Sequence, residues 1–486
     1  MQIGSAHNLI ADSGSSGGIS HGGDLANIVG RGGTGTRDIA TVVNTMPTSS
    51  LPNGTIGLAP VAGSLAIDNG NTVKAVDQNG DTLLIDQGGG RRVYDGDGDN
   101  KNIVDIGAVE AGPMATNGVL IFDSSNGVWR LGSINGRSSL SWYQTGAFGS
   151  TQRGFVGDFN GDGLLDGMML NMTNLRFNFL RNKGDGTLAA PVAAGALNGN
   201  FTWDNFMVGD YDGNGRAEVM AQIVSTGYGQ GAMRSQDYLG VNRFYVTLNT
   251  GYETLATGDF NGDGYDDVVG LFDNAAMTRT NIIPAYSIST PVGRRMTSVL
   301  ASGALGLSVA GGGLHDLNVA DWNGDGRDDL AVINSNGQVF TATTVGNSRV
   351  NAADVRNFVA SVNSPRFEPT SFVNPLLHGV FNDDNRADLI TIRNTNELAT
   401  GITTSLNPNG TPIQSLTVER FASVGPHAVT GDFDGDGLGD VLVLGTTAQG
   451  RFYNNSFDDL SDMANFGTVL GGPIGTIGFA KAGRVM

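Results

Sequence analysis

Six nine-residue strings hold the residues of this sequence whose types and spacing could do chemistry. DFNGDGLLD (158–166), DYDGNGRAE (210–218), DFNGDGYDD (259–267), DWNGDGRDD (321–329) and DFDGDGLGD (432–440) are variants of one pattern, and VFNDDNRAD (380–388) is a decayed copy. Side-chain oxygens fall at positions 1, 3, 5 and 9, with glycine at 4 and 6 in most copies. Odd spacing around a glycine-rich turn points those oxygens inward. With the backbone carbonyl of position 7 they make about five or six hard oxygens, which suits Ca²⁺ better than Mg²⁺ with its stricter octahedron. Of the 47 acidic residues, 21 lie within the 54 residues of these windows, so the acidity is local. Crowded carboxylates repel one another, and a divalent cation removes that cost. Five bound Ca²⁺ would bring the net charge from −19 to −9. The competing reading, polar turns that merely tolerate Asp and Gly, leaves this concentration without a cause.

The copies start 52, 49, 62, 59 and 52 residues apart. That spacing suits one four-stranded sheet per copy and is too long for a solenoid coil. Apolar or alternating runs follow the motif, as in LAVIN (330–334), LITIR (389–393) and VLVLG (441–445), and each reads as a strand. Turn signals such as SNGQ (335–338) and NKGDGT (182–187) then send the chain back as a hairpin. Position 2 is aromatic in every copy (Phe159, Tyr211, Phe260, Trp322, Phe381, Phe433), which we read as packing between neighbouring sheets. VLIFDSSNGVW (119–129) resembles LAVINSNGQVF (330–340) but has no acidic motif before it, while the tail GTIGFAKAGRV (475–485) is a strand without a partner of its own. Joining the tail to residues 119–145 would complete a seventh sheet from both chain ends and remove exposed edges. The segment NAADVRNFVASV (351–362) has apolar residues at helical spacing and is expected to form a short helix.

The repeated pattern resembles the FG-GAP and VCBS repeats, the calcium-loop blades of integrin α-subunit propellers and of many bacterial surface proteins. LRNKGDGTLAAPV (180–192) is similar to the hairpin that follows a VCBS motif. The resemblance covers about residues 117–486. It implies a seven-bladed β-propeller in an all-β chain, with each loop joining the innermost strand to the second and binding Ca²⁺ at about five sites. Partners usually meet the opposite face. Carried over, the side-chain ligands would be Asp158, Asn160, Asp162 and Asp166; Asp210, Asp212, Asn214 and Glu218; Asp259, Asn261, Asp263 and Asp267. The later copies supply Asp321, Asn323, Asp325 and Asp329, then Asp432, Asp434, Asp436 and Asp440. The position 7 carbonyls belong to Leu164, Arg216, Tyr265, Arg327 and Leu438. The copy at 380 departs, with Val380 at position 1 and Asp383 and Asn385 in place of both glycines, and is not expected to bind metal.

Residues 1–112 contain no copy of the motif and are expected to form a separate domain, with 113–486 as the propeller that the resemblance implies. HNLIADSG (7–14), GSLAIDNG (63–70), VDQNG (76–80) and VDIGAVE (104–110) resemble the end of a choice-of-anchor Q or polymorphic outer-membrane type right-handed parallel β-helix. Such proteins are exported and displayed on bacterial surfaces. Barely two coils fit in this length, so the segment reads as a remnant of a β-helix.

Composition narrows the function classes. At 486 residues the chain can bury a large core, and 75 glycines with 15% charged residues describe many tight turns and few solvated helices. A net charge of −19 argues against a nucleic-acid partner. Zero cysteines exclude disulfides, thiolate metal sites and cysteine nucleophiles. No apolar run reaches about 18 residues, and the start MQIGSAHNLIADSGSSGG has neither a basic nor an apolar signal region. Either the protein is cytosolic or this sequence begins inside a longer one; the surface-protein resemblances imply the second, with an extracellular or cell-surface location.

DGDGD (95–99), the GxGxxG at Gly30, Gly32 and Gly35, and GSSGG (14–18) read as turns, and the five histidines show no ligand spacing. No convergent acid and base can be picked out. The expected function is therefore an exported calcium-binding module for adhesion or ligand binding, taking a glycan or an extracellular protein. A polysaccharide lyase, a glycoside hydrolase or a passive surface stalk are the alternatives.

Overall fold

The computed structural model describes residues 118–135, 139–212 and 216–224, the strands and some turns beyond them, and short pieces between residues 9 and 106. Among these residues the chain is all-β, with no helix, and no helix long and apolar enough to cross a membrane. Near the start, β1 (Leu9–Ile10) and β2 (Ile28–Val29) pair in parallel.

From Gly118 onward the described strands form seven four-stranded antiparallel sheets. After β3 (Gly118–Asp123), β4 (Val128–Asn135) and β5 (Ser139–Gln144), the first complete sheet is β6 (Gln152–Gly157), β7 (Asp166–Asn171), β8 (Arg176–Leu180) and β9 (Val192–Ala196). The second is β10 (Trp203–Gly209), β11 (Glu218–Ile223), β12 (Ala232–Gln236) and β13 (Asn242–Thr247). The third is β14 (Thr254–Gly258), β15 (Asp267–Asp273), β16 (Thr280–Thr290) and β17 (Gly293–Ser298). The fourth is β18 (Leu314–Ala320), β19 (Asp329–Asn334), β20 (Val339–Ala342) and β21 (Val359–Ala360). The fifth is β22 (Leu377–Gly379), β23 (Asp388–Arg393), β24 (Glu397–Leu406) and β25 (Pro412–Glu419). The sixth is β26 (His427–Gly431), β27 (Asp440–Leu444), β28 (Gly450–Asn454) and β29 (Asp462–Ala464). Finally β30 (Ile477–Gly483) pairs antiparallel with β3, giving a composite sheet in the order β30-β3-β4-β5.

First strands are neighbours in succession: β6 with β10, then β14, β18, β22, β26 and β30, and β30 also lies beside β6. Second strands such as β3, β7 and β11 are buried almost throughout, which explains why they read as apolar runs, whereas the outer strand β9 is mostly exposed. Cores form between adjacent sheets. Leu120, Phe122, Trp129 and Leu131 of the composite sheet pack on Val156, Leu165, Met169 and Leu180 of the next. A second cluster joins Phe155, Met168 and Phe177 to Trp203, Val219 and Ile223. Each such side chain stabilises the fold by about 1.5–3 kcal/mol through burial. The approach is close enough to need glycine: a Cβ at Gly154 would run into the Phe122 ring, and one at Gly167 would sit 3.0 Å from Trp129.

One expectation is corrected. Val359 and Ala360, placed in a helix by periodicity, form the edge strand β21 against Thr341 and Phe340. β20 offers an unpaired backbone edge, and satisfying it outweighs an amphipathic pattern only a few turns long. The remainder of 351–362 lies outside the described residues, as do DGDGD (95–99) and the glycine-rich matches at 14–18 and 30–35.

Candidate metal centre

Every copy of the motif occupies the same place: positions 1–8 connect a first strand to a second, and position 9 opens the second strand. The residue just before position 1 pairs with position 9 in all six hairpins, from Gly157 with Asp166 to Gly431 with Asp440. Position 9 therefore sits at the base of the loop, and there Asp166, Glu218, Asp267, Asp329, Asp388 and Asp440 are all fully buried.

Loop 158–166 is described completely. The Asp158 carboxylate accepts the N–H groups of Gly161 (2.7 Å), Asp162 (3.2 Å) and Gly163 (2.7 Å). This wrap requires φ of +78° at both Gly161 and Gly163, a left-handed conformation that a side chain would strain. Asp166 accepts the Asn182 N–H and the Asn160 amide N–H, each at 2.7 Å. Half a turn of the Asn160 amide would present its oxygen to the loop interior instead. One oxygen from each of Asp158, Asp162 and Asp166 lies within 4.8 Å of the others. Burial, opposed by the Asn182 N–H and reinforced by the charges of Asp162 and Asp158, pushes the Asp166 carboxyl up to about 8. Burial likewise raises Asp158. Burial and mutual repulsion of this kind favour a divalent cation, which would neutralise the cluster.

Loop 210–218 repeats the arrangement, with oxygens of Asp210, Asp212 and Glu218 within 4.8 Å of one another. Loop 321–329 repeats its turn: the Gly324 N–H bonds Asp321 at 2.7 Å, and Gly324 has φ of +76°. Asn323 and Asp329 are described there, and Asp259, Asp267, Asp432 and Asp440 in the two others. Of the position 7 residues, Leu164, Arg216 and Arg327 are described. Asn214, Asn261, Asp263, Tyr265, Asp325, Asp434, Asp436 and Leu438 lie outside the described residues.

Position 9 also has a role that needs no metal. Glu218, Asp388 and Asp440 accept the position 2 N–H of their own loops, from Tyr211 (3.1 Å), Phe381 (3.0 Å) and Phe433 (2.8 Å). This accounts for the acid that survives in the decayed copy at 380. The six position 2 aromatics are buried. Tyr211 reaches the next sheet with a 2.8 Å hydrogen bond to Thr257, and Trp322 meets His378 edge-on at 6.3 Å.

Sequence reasoning missed position 8. Its N–H donates to the position 1 carbonyl of the preceding copy five times over: Ala217 to Asp158, Asp266 to Asp210, Asp328 to Asp259, Ala387 to Asp321 and Gly439 to Val380. The glycine that precedes position 1 in most copies is the signal that could have revealed so close an approach.

Residues 158–221 match the FG-GAP-like repeat family. None of the curated proteins matches the chain. Among solved structures, the chain is similar to an Agrocybe aegerita lectin, studied for specific recognition of non-reducing terminal N-acetylglucosamine. The identity is 16% and the TM-score 0.53, over 73% of this chain and 91% of the lectin. It also aligns with a Bacillus licheniformis rhamnogalacturonan lyase at 14% identity and a TM-score of 0.29, over 75% and 84% of the two chains. An FG-GAP-like repeat at 158–221 thus stands within a chain that is all-β over its described residues and shares its fold with a lectin.

Proposed function

We propose that this chain is an exported, calcium-stabilised β-propeller that binds a glycan at a surface. The observation that carries the metal is the convergence of Asp158, Asp162 and Asp166, with a like convergence of Asp210, Asp212 and Glu218. The donor set is all oxygen and flexible in reach, as Ca²⁺ prefers. About five such sites follow from the five intact copies of the motif.

Each four-stranded sheet is one blade in this reading, and the composite sheet is the seventh. The succession of first strands from β6 to β30, and the proximity of β30 to β6, supports a ring. A ring covers the faces of the two end sheets, which a linear array would leave open, and keeps only short, protected strand edges. Residues 1–112 would be the end of a parallel β-helix. In support, β1 and β2 pair in parallel, Gly70 donates to Val104 and Ile106 to Ala66.

The ligand is a glycan or an extracellular protein, and the fold shared with the lectin favours the glycan. The test is a glycan array probed with the full chain in calcium and in chelator, beside lyase assays on pectic and algal polymers. Retention of glycans in calcium, lost in chelator, is expected. No retention at saturating calcium sinks the glycan reading, and release of unsaturated oligosaccharides would make the chain a lyase instead.

A further inference from the structure

Two copies of the motif carry aspartate at position 8, and there the link to the preceding loop is doubled. Asp266 donates its N–H to the Asp210 carbonyl at 2.9 Å, and its carboxylate accepts the Asp210 N–H at 2.7 Å. Asp328 does the same to Asp259, at 3.0 and 2.7 Å. Both peptide groups of one position 1 residue are thus held by one residue of the next copy. The carboxylates approach over glycine: a Cβ at Gly209 would lie 2.7 Å from Asp266 Oδ2, and one at Gly258 would lie 2.6 Å from Asp328 Oδ2.

We infer that Asp266 and Asp328 are positioning residues for the cation sites of the preceding copies, Asp266 for loop 210–218 and Asp328 for loop 259–267. The inference rests on reading the acidic loops as calcium sites. Position 1 opens each site, and its carboxylate can turn toward the ion only from a backbone whose orientation is set. Holding that backbone beforehand removes ordering cost from binding, as outer-sphere partners do at other metal sites. The arrangement also adds one negative charge close to each site without spending it on coordination. Where position 8 is Ala217, Ala387 or Gly439, only the backbone bond can form. Loops 210–218 and 259–267 therefore each depend on a residue that by sequence belongs to another loop.

The experiment is calorimetric Ca²⁺ titration of the full chain carrying Asp266→Ala or Asp266→Asn. Each is made alone and combined with Glu218→Gln, which disables loop 210–218, or with Asp267→Asn, which disables loop 259–267. Asp266→Ala should weaken one site by about tenfold, at the low end for loss of an outer-sphere partner. The loss should vanish in the Glu218→Gln background and persist in the Asp267→Asn background. Asp266→Asn, whose amide oxygen can still accept the Asp210 N–H, should restore most of the affinity. Weakening confined to loop 259–267, or unchanged sites in a chain that binds calcium, overturns the inference and leaves the calcium reading standing. A wild-type chain without calcium binding overturns both. Circular dichroism without calcium checks folding; if Asp266→Ala does not fold, Asp328→Ala and Asp328→Asn pose the same question to loops 259–267 and 321–329.

Discussion

The Arg130 guanidinium lies 3.1 Å from the Asp123 carboxylate, and both side chains are almost wholly out of solvent. The pair belongs to the composite sheet, with Asp123 ending β3 and Arg130 on β4. Asp123 also accepts the Ser125 N–H (3.1 Å) and hydroxyl (2.6 Å), and Arg130 donates to Gln144. These bonds offset the desolvation of two buried charges, so removing one partner strands the other. Asp123→Leu alone should cost about 3–5 kcal/mol in urea denaturation, and Asp123→Leu with Arg130→Met should recover much of it. A single variant as stable as the wild type would show that the pair contributes nothing.

Calcium should dominate the thermal stability. Extracellular calcium modules bind with Kd of about 10⁻⁴–10⁻³ M, and at ten times Kd each site adds about 1.4 kcal/mol by linkage. Five independent sites would add about 7 kcal/mol, comparable to the whole stability of a typical domain. Chelator should therefore lower the melting temperature sharply, and Ca²⁺ should restore it far better than Mg²⁺. A melt indifferent to chelator refutes the calcium reading.

Intact and decayed loops should separate cleanly. Asp158→Ala removes the carboxylate around which loop 158–166 wraps and should delete one ion from the calorimetric count. Asn382→Ala, in the copy that begins with Val380, should leave the count unchanged. Loss of an ion on that substitution would add the loop at 380 to the binding sites.

Closure of the composite sheet predicts unequal effects of trimming the two ends. Deleting residues 474–486 removes β30, uncovering β3, all of whose residues are buried. The variant should be poorly soluble or melt far below the wild type. Deleting residues 1–112 removes no strand of the seven sheets and should leave their melt nearly unchanged. A soluble, fully stable tail deletion would show that β30 is dispensable.

His378 should make the fold acid-sensitive. Burial, with the charge of Lys481, holds its imidazole down at about 4 against an ordinary 6.5, and its Nδ1 lies 2.7 Å from Asn318 Oδ1. Between those values the unfolded chain binds the extra proton, so this contribution is present above pH 6.5 and is lost as pH falls toward 4. The drop in melting temperature from pH 7 to pH 4.5 should be smaller in His378→Gln than in the wild type. An equal drop would mean that His378 is protonated without cost.

What the sequence determined by itself is whatever depends on neighbours within one hairpin. The acid positions, the glycines at 161 and 163, the aromatic at position 2 and the buried run that follows all act over a few residues, so type and spacing suffice to read them. That β3 and the tail each lacked a partner was legible for the same reason. Only the tertiary structure decided that Phe122 lies opposite Phe479, because register between distant segments is set by packing and not by local spacing. The same holds for Val359, which left a plausible helix to complete the edge of β20. It holds most for Asp266 and Asp328: each looks like a spare acid in its own loop, and only the stacking of one sheet on the next brings it to the backbone of another.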